Sequence, residues 1–494
     1  MATATFAQNR ARVDELLATN WRLLVGGRLV GAPDIATYEL TSPIDGKAIA
    51  SVPDADPTLV DEAVANAEAA FPAWRDCDVL ERARLVERLA DVAEANIDDL
   101  ALLDAVDGGA PIAVMSRDVR MAAGLCRYFA GLALEMKGVS LPIRTSGLHM
   151  TVRQPFGVVA KIIPFNHPVL FAISKIAAPL VAGNCVVLKP AEATPLSALY
   201  LGSLIQNLFP PGVVQIVLGN GPAVPQALVR HPGIQRIGFT GSEATGRNVL
   251  QSAAQVGVKE VTLELGGKNA LIAYPDSDPA EVAAGAVQGM NFTWSGQSCG
   301  STSRLLVHES IADDVVAGIV QLLDKHKVGS PLDPEVNQGP LVSRAQYDKV
   351  VHYIAAGVEK GAVVAAGGGR PEGLREGNFI EPTILDRVDA TWSVATEEIF
   401  GPVLSVIRWN DDDDPVAIAN SVRYGLTGSV YTRDVSRALR VAQALESGYV
   451  WVNDTGHHFL GMPFGGFKAS GLGREESIDE LLSYTQEKSI NIRF

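Results

Sequence analysis

The 494-residue chain holds only four cysteines, Cys77, Cys126, Cys185 and Cys299. They are widely spaced and form no Cys-x-x-Cys pair, which argues against a disulfide framework and leaves no metal site to expect. Unpaired thiols fit a reducing compartment, so a cytoplasmic location is expected. Basic residues are also short, since 41 Lys and Arg against 56 Asp and Glu give a formal net charge of −15. A broad cationic surface for nucleic acid is thereby excluded, although a few backbone N–H groups can still form a local anion site. No apolar run approaches the roughly 20 residues needed to cross a bilayer. The stretch from Ile176 to Leu188 comes nearest, and Pro179, Gly183 and Asn184 break it. Asp14 and Glu15 interrupt the first segment before any apolar signal core, so no secretory or membrane segment is expected. Internal repeats and low-complexity tracts are missing too, and the acidic stretch Asp411 to Asp414 reads as solvated loop.

What is present is globular: 47% apolar and 20% charged residues, in a chain long enough for two or more domains. The segments from Pro57 to Trp74 and from Leu80 to Leu103 carry apolar residues at helical spacing, and Gly108, Gly109 and Pro111 end that pattern. From about Val158 short β-rich runs (VVAKII, NCVVLKP, VVQIVLG, IQRIGF) alternate with helical stretches. Such alternation predicts a parallel sheet with helices on both faces and ligands at the carboxyl ends of its strands. A second α/β region begins near Leu265, with the runs RLLVHE, AVVAAG, PVLSVIRW, TGSVYT and YVWVN. Two further segments, LHMTVRQPFG and the terminal SYTQEKSINIRF, are strand-like. They either pair with another subunit or fold back on the chain's own sheet.

Cys299 sits among glycine and small polar residues in MNFTWSGQSCGS, unlike Cys185, which precedes Val186 and Val187. The setting suggests a turn presenting a thiol, and a thiolate is a strong nucleophile toward a carbonyl. The cysteine alone also allows a structural thiol. Glu264 ends the β-rich run in VTLELGGKN, where a partly desolvated carboxylate could act as general base; a solvent-facing strand residue is the other reading. Asn166 lies between prolines in KIIPFNHP, either as a turn former or as an amide aimed at an oxyanion. Lys189 and Glu192 directly follow a strand, where they could hydrogen-bond ribose hydroxyls. Ser242 is placed as an N-cap at a helix start that offers N–H groups to a pyrophosphate. The stretch GNGPAV at 219–224 lacks the third glycine of a dinucleotide fingerprint.

Together these segments closely resemble the aldehyde dehydrogenase superfamily. The matching stretches are PFNHP (164–168), KPAE (189–192), FTGS (239–242), ELGGK (264–268) and GQSC (296–299). EEIFGP (397–402), NSVRYGL (420–426) and PFGGFKASGLGRE (463–475) follow in order. The resemblance implies an α/β fold of three parts. A Rossmann-like cofactor-binding domain would span 1–137 and 157–263, and a catalytic α/β domain 264–455. A small β oligomerisation flap would span 138–156 and 478–494, with a homodimer or homotetramer as the assembly. It also implies roles: Cys299 as nucleophile, Glu264 as general base and Asn166 as oxyanion donor. The cofactor would lie along Ile162, Pro164, Phe165, Lys189 and Glu192. Gly221, Gly241, Ser242 and Leu265 would continue that surface, and Glu398 and Phe400 would reach the nicotinamide end. The carboxylate of Glu192 would accept from a free 2′-hydroxyl and repel a 2′-phosphate, so NAD is favoured over NADP. The implied activity is NAD-dependent oxidation of an aldehyde to its acid through a Cys299 thioester, hydrolysed by water that Glu264 activates.

The chain departs from the family around the substrate. Phe165 stands where Trp is more frequent, His167 replaces an apolar residue, and Ser298 and Gly300 flank the thiol. A substrate pocket of His167, Thr293, Ser298, His457 and His458 is expected. Its histidines either recognise a polar or anionic group on the aldehyde or simply hydrogen-bond a loop carbonyl. Acyl transfer to CoA is the nearest rival, and Glu264 argues against it. A catalytically silent relative and a cysteine hydrolase are the others. The latter would want a histidine paired with the thiol, and no recognised arrangement of that kind occurs.

Overall fold

The computed structural model describes residues 4–494. Two large sheets organise it. The first is eight-stranded, and its centre is five parallel strands. Their spatial order is Val214–Ile216, Cys185–Lys189, Val158–Ile162, Ile234–Thr240 and Glu260–Glu264. Val158–Ile162 and Cys185–Lys189 are buried at every residue, as expected for strands covered by helices on both faces. Chain order reverses between Val158–Ile162 and Ile234–Thr240, and a reversal of this kind opens a crevice at the carboxyl ends of the strands. A hairpin, Leu23–Val25 with Arg28–Val30, adds antiparallel strands at one edge. At the other edge Gly471–Leu472 pairs antiparallel with the end of Glu260–Glu264.

The second sheet has seven strands in the order Val363–Ala366, Thr383–Asp386, Val403–Trp409, Arg304–His308, Ala270–Ala273, Thr427–Tyr431 and Tyr449–Val452. Only its first pair is antiparallel. The five β-rich runs after Leu265 all become strands here. Ala270–Ala273 and Thr383–Asp386 complete the sheet without having carried a distinct signal.

The helical run from Leu80 to Leu103 is two helices, Val79–Ala95 and Ile97–Gly108. The break falls at Asn96, whose Nδ2 turns back to the Val92 carbonyl at 2.8 Å. Ile97–Gly108 is buried along most of its length and stops at Gly109, whose φ of +88° suits glycine. Two of its buried residues are acidic. Asp104 Oδ2 accepts from the Val169 N–H at 2.8 Å, and Asp107 Oδ2 accepts from the Leu196 N–H at 3.0 Å. One central helix thus anchors the starts of Pro168–Val181 and Leu196–Ile205, the helices that follow Asn166 and the Lys189–Glu192 loop.

The two strand-like segments pair with each other, on neither large sheet. Gly147–Pro155 and Thr485–Arg493 run antiparallel in unbroken register from Gly147↔Arg493 to Pro155↔Thr485, and Ser140–Leu141 adds a short third strand. Asn184 ties this unit down: Oδ1 accepts from the Phe156 and Gly157 N–H groups, and Nδ2 donates to the Tyr484 carbonyl at 3.0 Å. Among the described residues no helix is long and apolar enough to cross a membrane.

Candidate active site

The crevice at the switch point is a cavity of about 160 Å³. Asn166, Glu264 and Cys299 meet on its wall, and Gly241 and Ser242 border it farther out. The three chemical residues come from separate places. Asn166 follows the strand Val158–Ile162, Glu264 ends Glu260–Glu264, and Cys299 lies in a loop before Arg304–His308.

The thiol loop is held by strained backbone and by one amide. Asn291 and Ser295 have φ of +56° and +52°, and Gly296 has φ +67°. Non-glycine residues pay for that region and persist in it only when their surroundings demand it. Ser295 Oγ donates to the Gly339 carbonyl at 2.8 Å, and Gln297 Oε1 accepts from the Val342 N–H at 3.1 Å. Asn269 Nδ2 donates to the Cys299 carbonyl at 2.7 Å and to the Ser301 carbonyl at 2.9 Å, while its Oδ1 accepts from the Thr427 N–H. Asn269 thereby fastens the nucleophile to the start of the second sheet.

Glu264 is buried, and neither carboxyl oxygen has a hydrogen-bond partner. Burial pushes its pKa well up, and the nearby charge of Glu475 adds to the effect. Glu475 itself would be raised by burial, but Lys175 and Lys161 outweigh that and hold it ionised. Lys175 Nζ bonds Glu475 directly, and Lys161 Nζ lies 3.6 Å from it. Burial, followed by the charges of Glu398 and Glu264, pushes the Cys299 thiol up to about 12. Burial thus favours the protonated form of both groups, the thiol and the carboxyl.

Seven of the eleven residues expected along the cofactor line the same crevice; Ile162, Lys189, Glu192 and Gly221 do not border the cavity. Pro164, Phe165, Leu265, Glu398 and Phe400 face the cavity. Phe165 meets Phe400 edge-to-face with ring centroids 5.6 Å apart. Phe400 has φ +58°, and Gln346 Nε2 holds its segment through the Ile399 and Phe400 carbonyls at 2.9 and 2.7 Å. Glu398 Oε1 accepts from the Gly267 N–H at 2.8 Å, and a Cβ at Gly266 would collide with this carboxylate. Lys189 Nζ reaches Glu192 Oε2 at 3.0 Å. Ser242 caps the helix Glu243–Ala254 through the Thr245 N–H, as its sequence position predicts. Ile162 is buried at its strand end, and Gly221, φ +87°, sits in the turn before Ala223–Arg230 with open space around its Cα.

The expected substrate residues scatter more. Thr293 lies in the short 3-10 turn Phe292–Trp294. Ser298 borders a small second cavity beneath the thiol loop, beside Ser301, Ser303 and Gly401. Each of the three histidines has an acidic partner. His167 Nδ1 lies 2.8 Å from Asp118 Oδ2, His457 Nδ1 lies 2.6 Å from Asp454 Oδ1, and His458 Nδ1 lies 3.0 Å from Glu476 Oε2. His457 is exposed. The partners of Glu264 and Cys299 went unread in the sequence, although Lys175 left a signal as the single charge in the apolar run PVLFAISKIAAPLV. Asn269 and Gln346 left none.

The sequence profile described as the aldehyde dehydrogenase family matches residues 30–490. The aldehyde dehydrogenase tropH of Talaromyces stipitatus is 42% identical over 98% of this chain and 96% of its own length. Mouse retinal dehydrogenase 2 is 40% identical over 92% of this chain and 88% of its own. A Bacillus cereus aldehyde dehydrogenase, solved as its NAD+ complex, superposes with a TM-score of 0.94 at 37% identity, covering 98% of each chain. The chain belongs to the aldehyde dehydrogenase family.

Losing three hydrogen bonds from buried partners at about 1–3 kcal/mol each is enough to free the thiol loop. Asn269→Ala should therefore lower kcat by roughly a hundredfold, measured by initial rates, while the alkylation of Cys299 by iodoacetamide continues. Unchanged kcat would show that the loop holds without it.

Proposed function

We infer that Cys299, Glu264 and Asn166 carry out NAD-dependent oxidation of an aldehyde to its carboxylic acid. The observation that carries this reading is their convergence on one crevice that runs on to a helix start at the switch point. The crevice fits a dinucleotide. Gly241 and Gly246 leave room where a Cβ would strike Phe239 and Leu265, which brings the helix start close to the strand ends. Gly241, Ser242 and the first N–H groups of Glu243–Ala254 would hold the pyrophosphate, with Lys189 and Glu192 at the adenosine ribose. Glu398 and Phe400 would meet the nicotinamide end. The bound NAD+ of the Bacillus cereus relative supports this choice. NAD, when bound, supplies the acceptor for the hydride that the aldehyde carbon loses.

The chain's own residues do the rest. The Cys299 sulfur adds to the aldehyde carbon, and its proton leaves to solvent, or to Glu264 where that carboxyl is ionised. The Asn166 amide donates to the oxygen that becomes negative. The oxidised adduct is a Cys299 thioester. Glu264 then takes a proton from water, which attacks the thioester and frees the acid. Because burial raises the Glu264 pKa, this base is available only as pH rises, and turnover should climb from neutral toward alkaline pH. The Glu192 carboxylate, half exposed beside Lys189, favours NAD over NADP.

Two features of the surroundings accompany this reading. The free thiols support work in a reducing compartment such as the cytoplasm. The flap exposes Leu141, Ile143, Ile492 and Phe494 at its strands and ends, which supports a homodimer or homotetramer built through it. Sedimentation velocity should give a multimer for the full chain and a monomer once 485–494 are removed; a full-length monomer would contradict the assembly.

NADH absorbance with an aldehyde panel tests the chemistry. Cys299→Ala should form none. Glu264→Gln should keep the first turnover but lose roughly a hundred- to ten-thousandfold in steady-state rate, along with the rise at alkaline pH. NADH from Cys299→Ala, or CoA-dependent product formation by the wild type, would contradict the reading.

A further inference from the structure

The loop between Tyr449–Val452 and the PFGGFK segment carries His458, and that ring is unusually well held. Its Nδ1 lies 3.0 Å from Glu476 Oε2. One face stacks on Tyr449, with centroids 5.9 Å apart and planes at 21°, and Phe464 lies 4.8 Å away. Tyr449, Trp451 and Phe464 form the same cluster against which Cys299 packs. His458 therefore belongs to the aromatic wall beside the nucleophile.

Glu476 holds its position at a conformational cost. Its φ is +63°, a region that side-chain-bearing residues avoid. Its N–H donates to Glu480 Oε2 at 2.8 Å and its carbonyl accepts from the Gly461 N–H at 3.1 Å. These bonds cross-tie the turn to the loop that bears His458. A strained backbone that aims one carboxylate at one ring argues for a role beyond filling space.

A second pair stands beside Asn166. His167 Nδ1 bonds Asp118 at 2.8 Å, and its ring contacts Trp294 of the thiol loop and Phe171. In both rings Nδ1 is occupied, and among the described residues no hydrogen bond occupies Nε2. The charged groups facing His458 are Glu476 from its turn, Asp118 from the helix Ile112–Gly131 and Lys175 from Pro168–Val181. The His458 side chain keeps 27% of its surface exposed; partial desolvation works against a proton on it, but Glu476 outweighs that and the pKa is raised. The outer rim of the loop exposes Phe459, Leu460 and Met462, an apolar mouth.

We propose that His458, positioned by Glu476, is a specificity-determining residue whose Nε2–H donates a hydrogen bond to an uncharged oxygen on a flat, aromatic or conjugated aldehyde. The proposal rests on the reading of the chain as an aldehyde dehydrogenase. The aromatic rings select a planar substrate, and the imidazolium selects an acceptor distal to the formyl group. An uncharged acceptor is favoured because each ring already has its carboxylate, so a substrate carboxylate would enter without a counter-ion.

Three near-isosteric probes test this: para-hydroxymethylbenzaldehyde, para-methylbenzaldehyde and para-carboxybenzaldehyde. The wild type should prefer the hydroxymethyl compound over the methyl one by roughly ten- to hundredfold in kcat/KM, mostly through KM, and should disfavour the carboxylate. His458→Phe should bring the hydroxymethyl-to-methyl ratio close to one, and His458→Gln, which keeps a donor, should retain part of it at an unchanged melting temperature. In Glu476→Gln the preference should disappear at a lower pH than in the wild type, because the imidazolium loses its counter-ion; a purely structural role would not move that midpoint. An undiminished ratio in His458→Phe, a preference for the carboxylate, or an unmoved midpoint in Glu476→Gln would overturn the proposal while leaving the oxidation of aldehydes standing. No NADH from any aldehyde would overturn both.

Discussion

The burial of the Glu264 carboxyl without a hydrogen-bond partner is the constraint on which the site depends. An acidic group placed this way is costly if ionised, so the fold surrounds it with specific supports. Gly471–Leu472 pairs with its strand and fixes the backbone, and Glu475, kept ionised by two lysines, adds to the upward shift that burial gives the Glu264 pKa. Burial thus shifts the carboxyl toward the neutral acid, beside a thiol that burial also pushes up.

Strain marks the same region. Asn291, Ser295, Phe400, Lys468 and Glu476 all adopt positive φ, and they belong to the thiol loop, the segment around Phe400 and the turns behind Glu264. Four of them are countered by a hydrogen bond from another element: Ser295 to Gly339, Gln346 to Phe400, Lys468 to the Asn420 and Val422 carbonyls, Glu476 to Glu480. Asn269, just before Ala270–Ala273, joins the Cys299 loop to Thr427 at the start of Thr427–Tyr431 in the second sheet.

Much of this was legible in the sequence because periodicity and motif order are local. The parallel strands of both sheets follow apolar runs, and Cys299, Glu264 and Asn166 lie in short stretches whose residue types suit their chemistry. The helix break at Asn96 was hidden, because apolar spacing continues through it and only a side-chain bond to Val92 marks the end. The short strand Gly471–Leu472 was hidden because two residues carry no alternation, and its pairing partner lies some two hundred residues away. The flap strands were visible as strands, but their pairing with each other was neither of the two outcomes left open, another subunit or the chain's own large sheet. The histidines were visible as a cluster of unusual residues near the pocket, whereas their carboxylates, Asp118 and Glu476, are set by tertiary packing and left no pattern.

The most direct measurement of the central claim is a difference infrared spectrum between the wild type and Glu264→Gln, titrated from neutral to alkaline pH. A buried, protonated Glu264 predicts a carboxylic-acid C=O band at neutral pH that is missing from the variant and converts to carboxylate as pH rises. A carboxylate signal already complete at neutral pH would contradict the account, because Glu264 would then be an ionised base at rest and the burial around it would have no catalytic consequence.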